Sequence, residues 1–262
     1  MISILTVNYH SSADVGVLAE SLRKHPSRGP MQLVVTNNSP DDSIGLVGDE
    51  RLSIDIADSV NRGFAAGINL AFQRSQGQYV MIANPDVQVT AGAMDAAIDL
   101  LVADRTTGVV LPLMRNIDGQ VQRSARQFYT WPVALFARSP LRWLGIRPAF
   151  FRRYLCEDLP LDVPTTVDWG LGGAMFLRRE DCESDGVFDE RFFLYFEDVD
   201  LCYRTWLRGQ RVMYCPRIEC IHAHRRSSRN PFTLAGWHHL RSFLAFRKKY
   251  GGLPQRPVPQ TT

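Results

Sequence analysis

Along the first 115 residues, short apolar runs alternate with stretches whose apolar positions recur every three or four residues. "ISILTV" is a compact β-rich run, and "SADVGVLAESLRKH" after it has the spacing of a helix. "MQLVVTNN" and "LSIDIAD" predict two more strands. "NRGFAAGINLAFQRSQG" reads as a loop entering a helix, "QYVMIANPD" as a strand, "AGAMDAAIDLLVAD" as a helix and "GVVLPLM" as a strand. Strands separated by helices and short connections pair in parallel through right-handed crossovers. The pattern therefore predicts an α/β fold, an open and mostly parallel twisted sheet with helices on both faces.

The later chain patterns differently. Residues 126–155 interleave aromatics with arginines and have no clear period. "VDWGLGGAMFLRRE" predicts a glycine-rich turn running into an apolar strand, and "RVMYCPRIECIHA" a pair of short strands broken at Pro216. From Val199, apolar residues at Cys202, Tyr203, Trp206 and Leu207 mark an amphipathic helix. A last helix near residues 232–250 places Leu234, Trp237, Leu240 and Leu244 on one side and ends on Arg247, Lys248 and Lys249. The tail "LPQRPVPQTT" reads as an extended end.

Composition narrows the class. A chain of 262 residues, 45% of them hydrophobic, buries a substantial core. A formal charge of +3 from 30 basic and 27 acidic residues is too balanced for a dedicated nucleic-acid binder, although the C-terminal third is the basic part. Five cysteines without a CxxC read as reduced thiols rather than a disulfide framework. The start "MISILTVNYHSS" has no basic region before a long apolar one, and no apolar run is long enough to span a bilayer, so a cytoplasmic protein is expected.

In a doubly wound sheet the ligand crevice lies beyond the carboxyl ends of the strands. There the sequence places Asn8 and Tyr9; Asn37, Asn38 and Ser39; Asn61, Arg62 and Gly63; and Asn84, Pro85 and Asp86. Each group alone also serves as an ordinary turn. Asp86 is a hard oxygen donor suited to Mg²⁺ or Mn²⁺, which take one or two protein carboxylates plus substrate phosphates. The small residues of "NRGFAAGINLAF" expose N–H groups at a helix start, where phosphate binds, but form neither a Walker loop nor GxGxxG. A nucleotidyltransferase would carry a glycine-rich, basic phosphate loop near the N-terminus, and "TVNYHSSADV" has none.

"FFLYFEDVDLCYRTW" sets Glu197, Asp198 and Asp200 among aromatics at a helix start. One reading is structural, with Asp198 as cap and Asp200 as first-turn acid. The other is chemical, since a carboxylate shielded from water serves as a general base toward a bound hydroxyl. His222 and His224 alternate along a strand and share a side; with a carboxylate such as Asp86 they would complete a cation site.

The ordered set "ILTVNYHS", "LVVTNNSPDDS", "NRGFAAGINLAF", "YVMIANPDV", "VDWGLGGAMFLRRE", "GVFDERFFLYFEDVDLCYRTWLRG" and "CIHAHRRSS" resembles the inverting glycosyltransferases of family 2, in particular bacterial rhamnosyltransferase-like members. The resemblance implies a GT-A fold over residues 1–228, with a nucleotide-sugar-binding part (1–115) and an acceptor-binding and catalytic part (116–228), followed by the basic helix and tail (229–262). It implies that Asp198 is the catalytic base and that Asn8, Asn37, Asn61, Gly63, Asn69, Asn84 and Asp86 bind the donor. Trp169, Gly172, Gly173 and Glu197 fall at the acceptor. Asp86 and His222 would hold a divalent cation, Mn or Mg. Asn84 departs from a full Asp-x-Asp, and Asn37 stands where many members have an aspartate that reads the base. The expected donor is a dTDP- or UDP-linked sugar such as rhamnose, and the expected acceptor a glycan or a polyprenyl-diphosphate-linked one, in cell-surface polysaccharide synthesis. The aromatic and basic segments add contact with an anionic membrane surface as a further expectation. The competing class is a non-catalytic nucleotide-sugar-binding protein of the same fold.

Overall fold

The computed structural model describes residues 1–137, 139, 141, 145–223 and 234–257. Three parallel strands open the chain: β1 (Ile2–Asn8), β2 (Met31–Asn37) and β3 (Leu52–Asp58). Every residue of β1 and β2 is buried, as expected of strands covered on both faces. Successive side chains alternate between two cores: Ile2 and Ile4 face the layer of α1 (Ser12–Lys24) and α3 (Ala93–Ala103), while Leu5 and Val7 face that of α2 (Phe64–Arg74). β4 (Tyr79–Ala83) joins β1 in parallel, and β5 (Val87–Val89) follows one turn later.

The second half departs from the predicted parallel order. β6 (Thr107–Arg115) does not join β4; instead β11 (Ala174–Arg178) inserts antiparallel between them. All five residues of β11 are buried, so it has no side fit for a solvent edge. The main path runs β3-β2-β1-β4-β11-β6-β12-β5. In that order β12 (Arg211–His222) is parallel to β6 and antiparallel to β5. β12 replaces the predicted pair of strands. Pro216 falls in a register shift between Cys215 and Glu219, so a bulge absorbs its missing donor and the strand continues.

Shorter strands complete the sheet edges: β7 (Val121–Gln122) on β6, β9 (Thr165–Val167) on β12, and a separate pair of β8 (Ala125–Arg126) with β10 (Trp169–Gly170). The aperiodic stretch contains two short helices, α4 (Trp131–Ala137) and α5 (Ala149–Tyr154).

α6 (Glu197–Leu207) and α7 (Leu234–Tyr250) pack together. Phe243 and Phe246 of α7 join the core beside Phe192, Phe196 and Tyr203. The side predicted from Trp237, Leu240 and Leu244 is not the packed one: all three are exposed. The helix is apolar on two sides, and spacing alone does not say which one packs. Fully buried Asp200 locks the helix pair, accepting hydrogen bonds from Lys249 Nζ (2.6 Å), Tyr250 Oη (2.8 Å) and Arg204 Nε (2.9 Å). It is therefore more than a first-turn acid. All five cysteines are free. Among the described residues no helix is long and apolar enough to cross a membrane.

Candidate active site

Parallel register sets Asn8, Asn37 and Asp58 side by side at the carboxyl ends of β1, β2 and β3. Asn8 Nδ2 donates to Asn37 Oδ1 (2.9 Å), and Asn37 Nδ2 to Asp58 Oδ1 (2.8 Å). Asn8 Nδ2 also reaches Asp42 Oδ2 (3.2 Å), whose carboxylate takes the Ser12 amide (2.9 Å) at the start of α1. The Ser12 hydroxyl and amide hold Asp42 below the usual carboxylate range. The result is a row of fixed amides with one exposed carboxylate, Asp58, at its end.

Asn61 turns the chain into α2, with Oδ1 accepting from the Gly63 amide (2.9 Å). Gly63 has φ of 99°, and a Cβ there would lie 2.3 Å from the Phe193 carbonyl oxygen, so glycine alone fits. Asn69 differs from its expected role. Its Nδ2 donates to Phe188 O (2.8 Å) and to Glu190 Oε1 (3.3 Å), and its Oδ1 accepts from the Phe188 amide. Both amide protons are engaged, so Asn69 clamps the segment before α6 onto α2 and has no donor left for a nucleotide.

Asp86 ends the turn after β4, where antiparallel pairing of β5 with β12 brings His222 beside it, Nε2 to Oδ1 3.1 Å. Gln122 on β7 sets the ring. Its Nε2 donates to the His222 carbonyl (2.9 Å) and to Asn116, which turns its Oε1 toward Nδ1 at 3.0 Å. The Gln122 bond fixes the ring so that Nε2 faces the Asp86 carboxylate, which places one nitrogen and one carboxylate oxygen within reach of a shared cation. Among the described residues no group of three or more His, Cys, Asp or Glu side chains could hold a metal. A carboxylate and an imidazole nevertheless suit a cation that takes its remaining ligands from a diphosphate and water. His224 lies outside the described residues.

The acidic pair stands on a strained approach. Tyr195 and Phe196 both have left-handed backbone, φ 66° and 69°, directly before α6. For residues with a Cβ this conformation costs roughly 1–2 kcal/mol each. Phe196 is held by ring contacts with Tyr129, Phe243 and Phe246 at 5.3–5.8 Å between centroids. The aromatics therefore both fix the turn and shut out water.

Asp198 is 9% exposed. Its Oδ1 accepts from the Val199 amide (2.8 Å) and its Oδ2 from the Gly172 amide (3.1 Å). Phe196, not Asp198, occupies the cap position. Burial pushes the Asp198 carboxyl up to about 6, against the lowering pull of these amides and of Arg126. Burial and the charge of Asp198 push Glu197 well above its usual range, and among the described residues Glu197 Oε2 has no hydrogen-bond partner.

Two glycines join the acidic pair to the cation pair. The Gly172 amide holds Asp198, while the Gly173 carbonyl accepts from the Asn84 amide (2.9 Å). A Cβ on Gly173 would sit 3.4 Å from the His222 ring. Asp198, Asn84, Asp86 and His222 thus border a single turn between β10 and β11. Trp169 does not open into that turn; its indole is buried, donates to Gln127 O (2.8 Å) and stacks on Tyr129. It supports the wall around the acidic pair.

The sequence reading missed Asp58, Asp42, Gln122 and Tyr129. Asp58 was readable, since it ends "LSIDIAD" at the register position of Asn37. Gln122 reaches His222 from an edge strand 100 residues away and carried no local signal.

Comparison with known proteins agrees with this architecture. Residues 3–167 match the model of glycosyl transferase family 2. The chain is 32% identical over 185 residues to N-acetylglucosaminyl-diphospho-decaprenol L-rhamnosyltransferase of Mycobacterium tuberculosis, a match covering 70% of this chain and 59% of that protein. The fold is similar to GalNAc-T7 solved with UDP, GalNAc and Mn²⁺ (TM-score 0.66, 14% identity, 95% of this chain and 47% of that one). It is also similar to the mannosyltransferase PcManGT of Pyrobaculum calidifontis in complex with GDP-Man and Mn²⁺ (TM-score 0.60, 15% identity, 94% and 64%). A GT-A type α/β sheet, the matched family model and the rhamnosyltransferase relative agree, and the chain belongs to glycosyl transferase family 2.

Proposed function

We propose that this protein is an inverting, metal-dependent hexosyltransferase. It would move a sugar, rhamnose by similarity to its relative, from a nucleoside diphosphate to a hydroxyl of a glycan or polyprenyl-diphosphate-linked acceptor in cell-surface polysaccharide synthesis. The observation that carries the reading is the Gly172–Gly173 turn, bordered by a buried carboxylate with a raised pKa on one side and by a carboxylate–imidazole pair on the other. The relative's printed activity, on a diphospho-decaprenol acceptor, supports the substrate class.

In this reading residues 1–115 hold the donor. The exposed Asp58 carboxylate faces the nucleobase or ribose, oriented by Asn37, which the buried Asn8 holds in turn; Asp58 supplies the carboxylate that Asn37 lacks. Asn61 and Gly63 shape the loop beside the phosphates. Asp86 and His222 would hold Mn²⁺ or Mg²⁺, with Asn84 beside them, and such a cation would supply positive charge to the departing diphosphate. Asp198 accepts the proton of the acceptor hydroxyl; a carboxyl with a pKa near 6 is ionised at neutral pH yet basic enough for the task. Its two amide hydrogen bonds fix its orientation, and Glu197, pushed above its usual range by burial and by the charge of Asp198, shares the buried site with it. Attack from the face opposite the diphosphate inverts the anomeric centre.

The test is a panel of dTDP-, UDP- and GDP-sugars screened for thermal stabilisation with and without Mn²⁺, then transfer to a lipid-linked acceptor with the product anomer read by NMR. Inverted product from one donor supports the reading. Retained configuration would overturn the mechanism, and stabilisation without any turnover would favour a nucleotide-sugar-binding protein.

A further inference from the structure

Fourteen of the 30 basic residues, and none of the 27 acidic ones, lie in residues 126–156 and 223–262. The rest of the chain is correspondingly acidic. The structure brings parts of these two segments together: the Arg247 guanidinium of α7 lies 4.8 Å from the ring centroid of Trp131, the first residue of α4. Both helices turn large apolar residues to solvent. Trp131 and Leu135 (69%) are exposed on α4, and Trp237 (61%), Leu240 and Leu244 on α7, where Arg241 and Lys248 are exposed on the same side. The inner side of α7 is already filled by Ser242, Phe243 and Phe246, so this outer stripe does not serve the fold.

We infer that the outer faces of α4 and α7 form a docking surface for an anionic bilayer. Three observations commit the surface to that occupant. Tryptophan and leucine side chains exposed beside cations are the composition of a helix lying in a lipid interface. The two segments contribute no carboxylate of their own; Arg147, Lys249 and Arg256 pair with Glu157, Asp189 and Asp168 from outside them, and Arg241 and Lys248 on the stripe are the cations that face a negatively charged headgroup layer, to which each nearby Lys or Arg adds attraction. The surface also adjoins the acidic pair. Tyr129, two residues before Trp131, stacks on both Trp169 and Phe196, so a bilayer on this face lies beside the wall that holds Asp198. The inference concerns a surface outside the donor crevice and stands whichever sugar is moved.

Flotation of the full chain with vesicles tests it. Binding is expected to phosphatidylglycerol-containing vesicles at about 0.1 M salt, with much less to neutral vesicles and at about 1 M salt, where charges are screened within a few ångströms. Combined Trp237→Ser, Leu240→Ser and Leu244→Ser should reduce binding at least tenfold, and combined Arg241→Gln and Lys248→Gln about fivefold for each charge removed. Circular dichroism and calorimetric binding of the nucleotide should not change in either variant, because these residues face outward. No flotation with anionic vesicles, or flotation unchanged in the variants, would overturn the inference. Reversible dimerisation without lipid, lost in the same variants, would also overturn it by assigning the face to a second copy of the chain.

Discussion

The raised pKa of Asp198 has a stability consequence that needs no substrate. The ordinary value of 3.8 applies in the unfolded chain, and burial raises it to about 6 in the fold. The folded state therefore binds the Asp198 proton more tightly than the unfolded state does. Its contribution to stability is full below pH 3.8 and is lost as pH rises through about 6. At about 1.4 kcal/mol per unit, the whole window amounts to about 3 kcal/mol, of which about 2 falls between roughly pH 4.5 and 7.5. Asp198→Asn removes the titration. It also leaves one of the two amides, Val199 or Gly172, without its acceptor, but that cost does not vary with pH. Glu197 titrates in both proteins, and losing its charged neighbour eases its ionisation, which adds to the difference with the same sign. Urea unfolding of both proteins across this range should show the variant gaining about 2 kcal/mol on the wild type as pH rises. Parallel stability curves would refute a carboxylate held in a water-poor site.

Other perturbations follow from the same geometry. Gly63→Ala places a methyl 2.3 Å from the Phe193 carbonyl at a positive φ, and denaturant unfolding should show a loss of at least about 2 kcal/mol. Gln122→Ala releases the His222 ring; Mn²⁺-dependent binding of a nucleoside diphosphate, read by calorimetry, should weaken about 10–100-fold while metal-free binding is unchanged. Asp200→Asn takes the buried counter-charge from Arg204 and leaves Lys249 with Asp189 alone, and unfolding should show a loss of about 3 kcal/mol, with α7 the first element to lose amide protection in hydrogen exchange.

What the sequence revealed and what it concealed divide along physical lines. Parallel strands buried on both faces leave uninterrupted runs such as "MQLVVTNN", and their polar ends mark where the strands stop, so the placing of Asn8 and Asn37 side by side at the carboxyl edge of the sheet was legible from position. Strand order is set by long-range pairing, and nothing local in "AMFLR" says that it inserts between β4 and β6. The pattern "FFLYFED" told of a shielded carboxylate, but not that two consecutive left-handed residues aim it. Asn69, expected at the donor from the resemblance, lies inside α2 and bonds to the backbone of Phe188, 119 residues later, a pairing with no local signal. Pro216 misled because a bulge restores what proline removes. α7 misled because both its sides are apolar.

Calorimetric titration of a nucleoside diphosphate with Mn²⁺ into the wild type, Asp86→Ala and Asp198→Asn tests the division of roles between the two carboxylates most directly. The account predicts that metal-dependent affinity is lost in Asp86→Ala and kept in Asp198→Asn. Equal affinities in all three proteins, or loss in Asp198→Asn alone, would contradict it.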